Sequence, residues 1–239
     1  MKKYPLILLI LLGLASCDLE QLIMGTPTAE SISEQEAAQG LKDALSVGIS
    51  RGAETLTQVD GYFGNPAIRI PWPEDAIKIA NTLRNMGLGS EVDKVELALN
   101  RAAEDAAAKA KPIFIDAIRQ MTIRDAMNIL FGPEDAATQY LRNTTTDALT
   151  RVFRPVIENS LNKVNATKYW DDAISLYNQI PLVQKMNPDL AGYVTEKALD
   201  GLFYTVAQEE KKIREDPLAR TTDLLKKVFG YYDRNKNKQ

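Results

Sequence analysis

The chain has 239 residues, 45% of them apolar and 26% charged, with a formal net charge of −3. That is the balance of a water-exposed globule, with no electrostatic reason to gather phosphate backbones, so nucleic acid is not an expected partner. Histidine is absent and cysteine occurs once, which argues against histidine triads, most zinc or iron sites, thiolate clusters and an internal disulfide. Carboxylates, Lys, Tyr, Ser and Thr remain for chemistry, and neither a metal ion nor a cofactor is expected.

Residues 1–16 read as a secretory leader. Lys2 and Lys3 precede an uncharged apolar run from Leu6 to Ala15, which as a helix would rise only about 15 Å, half a bilayer core. The run ends in Leu14-Ala15-Ser16-Cys17, which resembles a lipobox, in which an aliphatic and two small residues precede a cysteine that is lipidated and becomes the new N-terminus. Residues 17–33, with Gly25, Pro27 and several Ser and Thr, read as a flexible tether from that cysteine. The chain is therefore expected in the cell envelope, anchored to a membrane through lipid on Cys17 and facing the periplasm, with inner and outer membrane both open.

Residues 34–230 have helical rather than strand periodicity. Ser33 and Glu36 fit a capping box for a helix reaching about Gln58, with Leu41, Leu45, Ile49 and Leu56 on its buried stripe. Gly40, Gly48 and Gly52 weaken that helix, each by up to ~1 kcal/mol relative to Ala. Turn chemistry follows at Asp60 to Pro66. Ala67 to Pro73, with two prolines, predicts an extended strap laid on the helices. A short helix from Glu74 to Met86 is expected to stop at Gly87 and Gly89, and Ser90 to cap the next, which runs to about Lys111. Pro112 breaks or restarts the chain. Thr122 and Asp125 open a helix closed by Gly132, and Pro133-Glu134-Asp135 start another that reaches about Val164 with a break or kink at Pro155. A shorter helix spans Lys168 to Gln179. Asn187-Pro188-Asp189 begin what reads as the longest, ending at Glu215. The last spans about Leu218 to Phe229 and ends at Gly230, leaving residues 231–239 as a frayed polar tail. The expected fold is all-α, one compact domain of about nine helices.

Polar residues on apolar faces mark the candidate site. Glu210 lies on the same helix face as Val206 and Ile213, so it faces the core and needs a partner; Arg214, one turn on, or the more distant Arg101 could supply it. Asn100 and Glu104 share a face of an alanine-rich helix, and Asp125 sits in a third polar cluster. Asn100, Arg101, Glu104, Asp125, Glu210 and Arg214 form either a structural network or a polar pocket for a ligand. Glu104 and Glu210 would also be the paired carboxylates of a histidine-independent hydrolase. No residue stands out as catalytic.

The stretches Gly40 to Leu45, Asp60 to Phe63, Asn100 to Glu104, Met121 to Ala126, Asp135 to Tyr140, Tyr193 to Thr195 and Glu209 to Pro217 together resemble the bacterial envelope family catalogued as domain of unknown function 4197. The resemblance implies a helical lipoprotein or exported protein and no reaction. The leading expectation is a non-enzymatic envelope module that binds a protein partner or a small or lipidic ligand in a groove between helices; the hydrolase, or a structural factor in assembly of an envelope complex, are the alternatives. Labelled palmitate is expected to enter the wild-type protein and not the Cys17→Ala variant; equal labelling of the two would refute the anchor.

Overall fold

The computed structural model describes residues 32–179, 182, 185, 187, 189–216 and 223–235. The leader, Cys17 and nearly all of the tether lie outside the described residues. Among those residues there are nine α-helices and no strand, so the all-helical expectation holds.

Helix α1 (Glu34–Leu56) opens on the anticipated capping box, Ser33 Oγ accepting from Glu36 N–H and the Glu36 carboxylate from Ser33 N–H. Its glycines lie on the buried face. A Cβ on Gly48 would stand 3.0 Å from Ile213 Cδ1, so the loss of helix propensity allows close approach of a neighbouring helix.

The turn runs further than expected, to Ile68, with the N–H groups of Ile68 and Arg69 both donating to the Asn65 carbonyl, so the extended strap is confined to residues 69–73; a 3-10 turn (Glu74–Ala76) then leads into α2 (Ile77–Leu83). Here the structure departs from expectation. A π turn (Arg84–Leu88) joins α2 to α3 (Gly89–Ala107), and Gly87 takes a positive φ of 85°. The chain re-enters a helix so soon that no extended residue is left to act as a serine cap. Leu88 holds the cap position without a side-chain bond, and Ser90 falls inside the helix.

Helix α4 (Ala110–Gln120) carries Pro112 in its first turn, where a missing N–H is tolerated. Helix α5 (Ile123–Leu130) opens on a second capping box, Thr122 with Asp125, whose hydrogen bonds hold the Asp125 carboxyl below its ordinary range. Helix α6 (Ala136–Lys163) is the longest of the described helices and runs unbroken through Pro155. Pro155 is exposed, as is Arg151, whose carbonyl lacks an intrahelical donor and can turn to water. Helix α7 (Ala166–Asn178) is followed by α8 (Leu190–Glu215), which is shorter than α6 and is capped by Asp189 accepting from Gly192 N–H. Helix α9 (Asp223–Asn235) continues past Gly230, contrary to the expected stop. Val228 and Phe229 are buried, and the Tyr232 ring lies 6.2 Å from that of Phe131, giving the last turns something to pack on.

Helix α8 packs against α1 and α6; α3 and α4 lie on α6, and α4, α5 and α9 on α1. Phe114, Phe153, Phe203, Leu130, Leu141 and Leu149 are fully buried between these layers, with Phe114 edge-on to Phe203 at 5.8 Å. Tyr62 from the turn inserts against α8 at Gly201, where a Cβ would stand 2.7 Å from the Tyr62 ring. Among the described residues no helix is long and apolar enough to cross a membrane.

Candidate functional site

The six polar residues singled out from the sequence fall into separate arrangements. Glu104, on α3, reaches the turn: its Oε1 accepts from the N–H groups of Tyr62 (3.1 Å) and Phe63 (3.3 Å), and its Oε2 from Arg101 (2.6 Å). Arg101 also donates to Asp60 at 2.8 Å. Asp60 adopts a left-handed φ of 66°, a conformation Asp tolerates better than most residues. The carboxylates beside it hold the Arg101 guanidinium more firmly protonated than usual. Tyr62 donates its hydroxyl to the Ala198 carbonyl, and burial pushes its pKa well above the ordinary phenol.

One turn back on α3, the Asn100 amide accepts from Ile70 N–H and donates to Ile70 C=O, each at 2.8 Å. It serves the strap as a neighbouring strand would, satisfying main-chain groups that have no sheet to join.

Glu210 and Arg214 form the second network, on α8. Glu210 is 4% exposed and Arg214 9%. The carboxylate accepts from Ala137 N–H (3.0 Å), Thr138 N–H (2.8 Å) and the Thr138 hydroxyl (2.8 Å). Those are first-turn N–H groups of α6, whose own N-cap residue Asp135 makes no capping bond. Arg214 donates to Glu210 Oε1 from Nε and Nη2, and its guanidinium reaches the carbonyls of Ile129 (2.9 Å) and Leu130 (3.4 Å) in the last turn of α5. An anion therefore sits on a helix N-terminus and a cation on a helix C-terminus, each favoured by the local dipole. Asp125 belongs to neither group; it closes the α5 capping box.

Of the two readings offered for these residues, a structural network or a polar pocket, the hydrogen bonds form networks that tie down main chain, in separate places. Glu104 and Glu210 have no hydrogen-bond partner in common, and each is engaged by main-chain N–H groups and an arginine. Each carboxylate is thus occupied in holding main chain. Among the described residues no group of three or more carboxylate or cysteine side chains is placed to hold a metal ion.

What the structure adds is a groove of about 680 Å³ beside α3. Ile79 and Leu83 of α2 form one wall, and Val92, Val95, Ala98 and Ala102 of α3 line it further. Val164, Ala166 and Trp170, from the end of α6 and from α7, line another part, with Trp72 of the strap and Leu190 of α8. Trp72 and Trp170 meet at 6.0 Å with their rings tilted by 58°. Charged side chains also border it, among them Lys94, Arg101, Asp105 and Lys163; Asp105 accepts from the Ser160 hydroxyl at 2.6 Å. A mostly hydrocarbon cleft of this size with a few polar groups is the usual form of a small-molecule site. Of the residues anticipated from sequence, Arg101 alone lines it. The others in the groove were not singled out from the sequence as site residues.

Glu210→Ala is expected to lower stability by about 3–5 kcal/mol in urea unfolding, because a buried pair is broken. Replacing both partners, as Glu210→Leu with Arg214→Met, is expected to recover little, because the ends of α5 and α6 would still lose the groups that bond them. A double variant within about 1 kcal/mol of wild type would contradict this account of the network.

The profile of a family described as "Protein of unknown function (DUF4197)" matches residues 31–230. Neither a curated protein nor a solved structure matches the chain. The match spans the body from just before α1 to within α9, so the chain belongs to this family of unknown function.

Proposed function

We propose that this chain is a non-enzymatic binding module of the cell envelope, tethered through lipid on Cys17 and facing the periplasm, that holds an apolar or lipidic ligand in the groove beside α3. The groove carries this reading. It has a volume of about 680 Å³, within the roughly 300–1,000 Å³ range of small-molecule sites, and hydrocarbon side chains from α2, α3, α7 and α8, with Val164 at the C-cap of α6, contribute to its lining. The polar residues weighed as candidates for chemistry are bonded to main chain: Asn100 and Glu104 to the strap and turn, Glu210 and Arg214 to helix ends. The lipobox-like sequence at Cys17 supports the envelope location, where apolar ligands are at hand.

Titration of the full chain in amphipol with N-phenyl-1-naphthylamine, corrected for empty amphipol, tests the reading. Saturable binding is expected. Ala98→Trp, which fills the groove from α3, should weaken it at least tenfold and leave the thermal midpoint within a few degrees of wild type. Equal binding by both proteins, or none by wild type, would overturn the assignment.

A further inference from the structure

Among the described residues, the buried side-chain polar atoms without a hydrogen-bond partner lie in one place: Oγ1 of Thr167 and Nε1 of Trp170, one turn apart on α7. Trp170 is 7% exposed and lines the groove. Trp72, whose ring it meets, also lines the groove, yet its Nε1 donates to the Val92 carbonyl at 3.2 Å. Two indoles thus share one site, one with its donor satisfied inside the fold and one without. Buried indole N–H groups ordinarily find a partner, and a sealed donor lacking one penalises the folded state.

An indole N–H donates and cannot accept, so whatever satisfies Trp170 brings an acceptor atom, for which oxygen is the common choice. The surrounding groove surface is mostly hydrocarbon, including Val95, Ala98, Ala102 and Leu190, so that oxygen arrives on an apolar body. Resting on the groove reading above, we propose that the ligand is an acyl chain whose carbonyl or carboxylate oxygen accepts a hydrogen bond from Trp170 Nε1, with the Thr167 hydroxyl as a second donor one turn away. Nε1 is sealed from solvent in the free protein, so the oxygen reaches it only after side chains around it shift.

The proposal predicts effects of opposite sign for Trp170→Phe, which keeps the ring and removes the N–H. The free variant should be as stable as wild type or more so, because an unsatisfied donor is gone. Palmitate should displace N-phenyl-1-naphthylamine from the full-length variant about tenfold less well than from wild type. Hexadecylammonium, which has the same chain and no acceptor, should compete equally with both. In wild type, the indole N–H proton resonance of Trp170 should move downfield on addition of palmitate and not of hexadecylammonium, a readout that holds even if the variant folds poorly. Equal palmitate affinity in the two proteins, or an unmoved Trp170 resonance, would overturn the acyl-oxygen proposal and leave the groove reading standing if the naphthylamine still binds. Failure of the naphthylamine to bind wild type would sink both.

Discussion

The ends of α5 and α6 meet inside the protein, where their main-chain groups cannot turn to water, and Glu210 and Arg214 of α8 satisfy them. Four main-chain groups take part: the N–H groups of Ala137 and Thr138 and the carbonyls of Ile129 and Leu130. An ion pair alone would be a weak reason for stability, since desolvation offsets much of its attraction. Here each charge also replaces solvent for the end of a helix with the matching dipole. That fixes where α6 begins relative to α8, and α6 then carries Phe153 into the core and Val164 to the groove.

The same tactic recurs around the irregular stretch between α1 and α2. Glu104 holds the turn by two N–H groups, and Asn100 holds the strap by both the N–H and the C=O of Ile70. Tyr62, locked at Gly201, ties that stretch to α8. Trp72 is thereby brought to Trp170. Arg101 connects the two themes, since it bonds Glu104 and Asp60 and also borders the groove. Side chains that resemble a reaction centre in sequence thus position the backbone, and the cleft they frame is largely apolar.

Much of the helical plan was legible because its signals are local. Ser33 with Glu36 and Thr122 with Asp125 are capping boxes readable from spacing alone, and the apolar stripe of α8 shows that Glu210 faces inward. What was not legible depends on contacts distant in sequence. Asp135 looks like the cap of α6, but the cap comes from Glu210 across the fold. Gly230 looks like a stop, but Tyr232 packs on Phe131 and the helix goes on. Pro155 looks like a break, yet its unpaired carbonyl partner lies on an exposed face. A groove between helices was expected, but its place and lining could not be read, since it joins Trp72, Val95 and Trp170 from three elements, and no periodicity records which faces of separate helices stand apart.

For the binding role proposed for the groove, the ligand itself is the most direct witness. Native mass spectrometry of the protein extracted gently from its own cells should find a population heavier than the bare chain by a small apolar molecule, and that population should vanish in Ala98→Trp. Bare protein throughout, or the same added mass in both proteins, would contradict the account.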